Sequence, residues 1–264
     1  MTNPRPVALV TGASSGLGDR FARQLAQRGH DLVLVARRAE RLDALAADLR
    51  ATHGITATPI ALDLTQPGAA ETLFARTEGA GIPIDVLVNN AGFGTQGWFP
   101  RIEWSKTAEQ LQLNIVSLTE LTWRFVHAMR DRGRGRILNV ASIGAYLPTP
   151  GYATYAAGKA YVRNFSEALD FELRGTGVHV CCLCPGPTNT EFTAVAGHKI
   201  SALERRAFMS ADRCARIGLR ALFAGRRLIV SGWLPSLVMW LTRFAPRRLV
   251  TRITAVFMQG PRET

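Results

Sequence analysis

The chain has 264 residues, 47% of them apolar and 20% charged, and 32 Lys and Arg against 20 Asp and Glu leave a net charge of +12. This balance fits one folded domain around its own core and excludes an intrinsically disordered chain. The N-terminal MTNPRPVALVTG lacks the basic and apolar regions of a secretion signal, and the uncharged run 228–242 falls short of the roughly 18 apolar residues of a membrane span.

Along the chain, apolar runs of strand length alternate with stretches of helical period. VALVTG (7–12) leads into a helix expected over 16–29, and DLVLVAR (31–37) into another over 38–54, where Leu42, Leu45 and Leu49 share a face. Further strands are expected at 56–64, 84–92, 135–143, 178–186 and 227–232, with helices near 68–79, 104–132, 152–174 and 211–224. Most of the seven strands are rich in Val, Ile and Leu without polar alternation, which predicts a sheet covered on both faces. Strand–helix repetition of this kind predicts an α/β fold with a doubly wound, mostly parallel seven-stranded sheet. Residues 1–232 are read as one domain, and 233–264 as a helical extension of it rather than an independent domain.

Three of the four cysteines form CCLC at 181–184. Neighbours on a strand face opposite sides, so Cys181 and Cys182 cannot grip one metal together. They read as small apolar core residues in a reduced compartment, which suits a cytoplasmic protein. His30, His53, His127, His179 and His198 lie far apart without ligand spacing, so no metal site is expected.

TGASSGLG (11–18) places Gly12, Gly16 and Gly18 between the first strand and the first helix. Glycines there permit a tight turn and let backbone amides approach a pyrophosphate at the helix N-terminus. An acidic residue about 20 positions on would bind the ribose hydroxyls of NAD. Instead the second strand ends in Ala36, Arg37 and Arg38. Guanidinium groups suit a phosphate, and cations are mildly unfavourable at a helix start, so a bound anion is expected. NADP(H) is the predicted nucleotide, with Arg37 favoured over Arg38.

GYATYAAGKAY (151–161) holds three of the four tyrosines and one of three lysines. Tyr155 and Lys159 stand four apart on an expected helix and can face one cavity, whereas Tyr152 and Tyr161 have no such partner. A nearby ammonium would lower the phenol's usual pKa of about 10 toward the range of a working acid or base. Ser142 closes the fifth strand and NNAG (89–92) the fourth, both at the carboxyl edge where open parallel sheets place their ligands, and Asn114 lies in the helix that follows NNAG.

Taken together, the glycine turn at 11–18, Asp63, NNAG at 89–92, Asn114, Ser142, the Tyr155–Lys159 pair and PGPTNT at 185–190 resemble the short-chain dehydrogenase/reductase family, in order, over residues 7–232. The resemblance implies a Rossmann-type fold and an oxidoreductase that interconverts a ketone or aldehyde with an alcohol. It implies that Tyr155 passes the proton, that Ser142 binds the carbonyl oxygen, that Lys159 tunes Tyr155 and holds the nicotinamide ribose, and that Asn114 fixes a water linking Lys159 to solvent. It further implies that Thr11, Gly12, Ser14, Ser15, Gly16, Leu17 and Gly18 form the pyrophosphate turn. Asp63 and Leu64 would border the adenine, Asn90, Ala91 and Gly92 the ribose side, and Pro185, Gly186 and Thr188 or Thr190 the nicotinamide carboxamide. Arg37 matches the NADP(H)-preferring members.

The segment after PGPTNT (191–210) is expected to cover the substrate. The loops 93–99 and 144–152 are expected to line its other walls, and Phe93, Tyr146, Leu147, Tyr152 and Phe192 suggest a pocket for a fairly apolar molecule. A homodimer or homotetramer is expected. From Arg220 onward the chain carries eight arginines and one acid, Glu263, over apolar residues at helical spacing: Leu234, Leu237, Leu241, Phe244, Leu249, Ile253 and Phe257. Such helices pack on the domain, roof the substrate pocket, join subunits, or lie on an anionic membrane; nucleic acid lacks a recognised motif. The rival functional reading is a non-catalytic NADP(H)-binding docking or sensor protein, which the intact Asn–Ser–Tyr–Lys set argues against. An epimerase or dehydratase on the same scaffold usually belongs to longer chains.

Overall fold

The structure is a computed structural model that describes residues 5–192 and 208–258. Its strands in chain order are β1 (Val7–Thr11), β2 (Asp31–Ala36), β3 (Ala57–Ala61), β4 (Val86–Asn89), β5 (Gly135–Val140), β6 (Val178–Cys184), β7 (Thr188–Asn189), β8 (Met209–Ser210) and β9 (Leu228–Val230). The helices are α1 (Gly16–Ala26), α2 (Ala39–His53), α3 (Ala69–Ala75), α4 (Trp104–Leu111), α5 (Leu118–Asp131), α6 (Ala153–Glu172), α7 (Ala211–Phe223), α8 (Trp233–Leu241) and α9 (Arg247–Met258).

Seven strands form one sheet in the order β3-β2-β1-β4-β5-β6-β9, and every neighbouring pair is parallel. The order reverses between β1 and β4, and a crevice opens at the carboxyl ends of strands that diverge in this way. Side chains alternate across the sheet. Val10, Leu34, Leu138 and Cys181 face α1, α2 and α7 on one side, while Leu9, Val33, Leu87 and Val180 face α3 and α5 on the other. Cys182 and Cys184 project from β6 toward Val162 of α6, on the opposite side from Cys181.

Three details depart from the periodic pattern. The expected strands 84–92 and 135–143 stop at Asn89 and Val140, because Asn90–Gly92 and Ser142 leave the sheet to border the crevice. The expected helix 104–132 is broken by a π-helical turn, Gln112–Ser117, which holds Asn114. A separate two-residue ribbon pairs β7 with β8. The substrate-covering segment expected at 191–210 falls partly outside the described residues, which include Glu191, Phe192 and 208–210.

Candidate active site

A cleft of about 560 Å³ runs from the glycine turn and the end of β2 to the start of α6. Gly12, Ser14, Ser15, Gly16, Leu17, Arg37, Arg38, Asp63, Leu64, Asn90, Ala91 and Gly92 line it at one end. Ser142, Tyr155, Lys159, Pro185, Gly186, Thr188 and Thr190 line it at the other.

Thr11, Gly18 and Asn114 stand behind this wall, not in it. Thr11 is buried, and its hydroxyl accepts from the amides of Asn90 and Ala91, each at 3.0 Å, while donating to the Val88 carbonyl. It therefore ties β1 to β4 where the crevice opens. Gly18 lets α1 rest on the turn: any Cβ there would collide with the Gly12 carbonyl. Asn114 uses its carboxamide on the backbone of Phe93, accepting from the amide at 3.2 Å and donating to the carbonyl at 2.8 Å. A Cβ on Gly92 would stand 2.8 Å from Asn114 Oδ1 and 3.6 Å from Lys159 Nζ, so glycine is what lets these two groups converge.

The nucleotide end fits a dinucleotide. Gly12 and Gly16 hold φ values of +67 and +58, which favour glycine, and a Cβ on Gly16 would reach across toward Thr190. The N-terminus of α1 has no side-chain cap, leaving its amides free for an anion. Arg38 donates to Ser14 Oγ and to Ser15 Oγ (2.8 Å), and Arg37 donates to Glu109 at 3.3 Å. Arg38, rather than the favoured Arg37, is thus the guanidinium that touches the glycine turn. Glu191 bridges Arg38 and Arg41 and is held below the usual carboxylate range by hydrogen bonds from Arg41 and Arg38. Against the burial that would raise it, Asp63 is held low by hydrogen bonds from the Thr65 amide and hydroxyl and by the charge of Arg37.

At the other end, Ser142 caps the short turn Ile143–Tyr146 by accepting from the Gly144 amide at 3.1 Å, and it hydrogen-bonds the Tyr155 phenol. Lys159 is 5% exposed. Its ammonium donates to the Val140 carbonyl at 2.8 Å and stands 5.8 Å from the centre of the Tyr155 ring. The expected lowering of the phenol is not found. Burial pushes Tyr155 up to about 12 and outweighs the Ser142 hydrogen bond. Burial likewise brings Lys159 down to about 8.

The Lys159 shift has a measurable consequence. The folded chain sheds this proton near pH 8 while the unfolded chain keeps it to about 10.5, so stability rises with pH across that window. Lys159→Met removes the buried cation. It is expected to melt higher than the parent at pH 7, by roughly 1–3 kcal/mol, with the gap closing between pH 8 and 10. Calorimetric melts at pH 7, 8, 9 and 10 check this; a gap that does not change with pH counts against it.

Aromatic rings enclose the space beyond Tyr155. The Phe192 ring centre lies 5.3 Å from that of Tyr155, and Tyr152 meets Tyr155 edge-on at 6.1 Å. Phe93, Leu147, Tyr152 and Phe192 line the cleft as expected, but Tyr146 does not: its ring lies under the Arg163 guanidinium at 4.4 Å. Four participants were not singled out as residues in the sequence, although each lies in a segment expected near the pocket: loop 93–99, segment 191–210 or the C-terminal helices. Gly94 admits the Phe192 ring, since a Cβ there would be 2.9 Å from it. Glu191, Phe208 and Thr254 also line the cleft. Thr254 arrives from α9, donating to the Pro148 carbonyl at 2.6 Å, and only docking of the last helix reveals that contact.

The family profile described as short chain dehydrogenase matches residues 6–201. The chain belongs to the short-chain dehydrogenase family. Among curated relatives, this dehydrogenase is 37% identical over 190 residues to a serine 3-dehydrogenase of Agrobacterium fabrum, covering 71% of this chain and 74% of that one. It is 34% identical over 182 residues to a 7beta-hydroxysteroid dehydrogenase of Collinsella aerofaciens, covering 69% and 68%. Among solved structures it resembles the short-chain dehydrogenase from Sphingobium yanoikuyae in complex with NADPH. That match has 32% identity and a TM-score of 0.81, over 92% of this chain and 97% of the other. The protein is therefore an oxidoreductase of alcohols and ketones with the Rossmann-like fold of its family and a nicotinamide dinucleotide as cofactor.

Proposed function

We propose that this dehydrogenase reduces a fairly apolar ketone or aldehyde with NADPH. The observation that carries the reading is one continuous cleft. It starts at two arginines and two serines, passes the uncapped helix end, and finishes at Ser142, Tyr155 and Lys159 beneath a cluster of aromatic rings.

Bound there, a reduced nicotinamide would supply the hydride. The chain's own groups do the rest. The Ser142 hydroxyl binds the carbonyl oxygen and stabilises its growing negative charge. Tyr155 donates the proton to that oxygen. A phenol raised to about 12 is protonated at neutral pH, the state a proton donor needs. Lys159 holds the nicotinamide ribose, and its ammonium compensates the phenolate left after transfer. Asn114 keeps Phe93 and the Lys159 pocket in register. Ser14, Arg38 and Arg37 bind the 2′-phosphate; Asp63 and Leu64 border the adenine, Asn90 the adenine-side ribose, and Thr188 or Thr190 the carboxamide.

Relatives act on substrates as unlike as serine and a hydroxysteroid, so the pocket has to choose. Phe93, Leu147, Tyr152, Phe192 and Phe208 favour an apolar body with one polar oxygen. Exposed Trp123, Tyr161 and Phe171 on α5 and α6 support a homodimer or homotetramer. Following NADPH absorbance across ketones graded from small and polar to bulky and apolar tests the reading. Turnover is expected to rise with apolar bulk and to be faster with NADPH than NADH. Activity confined to small polar substrates, or a preference for NADH, overturns it.

A further inference from the structure

We propose that α8 and α9 seat this enzyme on the surface of an anionic lipid bilayer. On α8, Trp233, Leu234, Leu237, Val238, Trp240 and Leu241 form one broad outward arc, and Met239 is the residue turned into the core. Trp233 is 78% exposed and Phe244, just past the helix, 72%. On α9 the inward stripe is Val250 and Thr254, while Leu249, Ile253 and Val256 stand outward at i, i+4 and i+7. So much contiguous apolar surface in contact with water marks a docking face.

The charges on this face select the occupant. Arg243, Arg247, Arg248 and Arg252 are exposed beside the apolar arc, and among the described residues from 213 to 258 there is no Asp or Glu. None of the four makes an ion pair among the described residues. A second copy of the chain would set these uncompensated cations against their equivalents, whereas phospholipid headgroups neutralise them. Amphipathic helices with a basic border lie in such an interface with the apolar side among the acyl chains. The helices have 9 and 12 residues, and no described helix is long and apolar enough to cross a membrane. The surface therefore rests on the bilayer without spanning it.

The inner side of the same helices walls the substrate end of the cleft. Thr254 lines it, and Gly186 lies so close to Pro235 that a Cβ would be 3.1 Å from that ring. Seated this way, the pocket meets a molecule dissolved in the lipid; that corollary rests on the apolar-substrate reading above.

The test is co-sedimentation of the full chain with phosphatidylglycerol or phosphatidylcholine vesicles. It compares the parent with Leu237→Glu/Trp240→Glu and Arg248→Glu/Arg252→Glu, each checked by thermal melting to be folded. Binding to phosphatidylglycerol, weak or absent on phosphatidylcholine, is expected to disappear in the first variant. Each arginine near an anionic surface is worth about fivefold in affinity, so the second variant should lose roughly 25-fold or more, and salt should weaken the parent. No binding by the parent overturns the proposal, as does equal binding by the folded variants. So does a variant that leaves vesicles unaffected but splits an oligomer in sedimentation velocity, which would assign the face to a second copy. Pelleting needs no turnover, so failure of the ketone assay leaves this result standing, and the reverse holds too.

Discussion

Tyr155→Phe is expected to lower kcat and kcat/KM together by at least a thousandfold while leaving the NADPH dissociation constant within about twofold. Loss of a positioned general acid accounts for about 10²–10⁴ of that, and equal falls in both constants mark an interaction made only in the transition state. The substitution is clean because the ring stays. Phenylalanine keeps the contacts with Tyr152 and Phe192, and Ser142 still accepts from the Gly144 amide, so its hydroxyl is not stranded. The melting temperature should barely move. Stopped-flow turnover and nucleotide fluorescence titration on one preparation separate the outcomes. A variant that turns over at the parental rate would move the proton donor elsewhere, and one that fails to bind NADPH would make Tyr155 a binding residue.

The second large effect concerns cofactor choice. Arg38→Ala is expected to weaken NADPH by roughly 10- to 100-fold, the value of a charge-assisted hydrogen bond, and to leave NADH nearly unchanged. Arg37→Ala should do less, because its guanidinium leans on Glu109, whereas Arg38 already sits on Ser14 and Ser15. The double variant should accept both cofactors with similar affinity. Calorimetric titration of the four proteins with the two nucleotides gives the comparison. If Arg37→Ala is the more damaging, Arg37 rather than Arg38 is the main partner of the 2′-phosphate.

Sheet and helices were legible in the sequence because burial on both faces leaves long aliphatic runs, and helices leave a three-to-four residue rhythm. Where that rhythm misled, the backbone had been recruited by the cleft. The expected strands ran on through Asn90 and past Ser142, and although both were placed at the sheet's carboxyl edge, they have left the ladder to border the crevice. Tyr155 and Lys159 were readable as a pair from their spacing, but their protonation was not. The Val140 carbonyl beside Lys159 and the enclosing walls come from distant segments, and burial outweighs proximity. Thr11 matched the motif yet serves Asn90 and Ala91 from behind. The C-terminal helices could be weighed as a roof for the pocket, but not Thr254 as the residue that enters it, since its partner Pro148 is over a hundred residues away in the chain.

The π turn at Gln112–Ser117 constrains how this segment tolerates change. Such a turn takes up one residue more than an α-helical turn through the same rotation, so the helical stretches on either side keep their faces. Removing a single residue from 112–117 would let α4 and α5 fuse into an ordinary helix, at little cost to its own backbone bonding. The flanking faces would stay in register, and the loss would fall on the turn itself, where the carboxamide of Asn114 meets the backbone of Phe93. A one-residue deletion here is therefore expected to spare the packing of both flanks and cost the site, whereas the same deletion inside α4 or α5 would turn an apolar face off its partner.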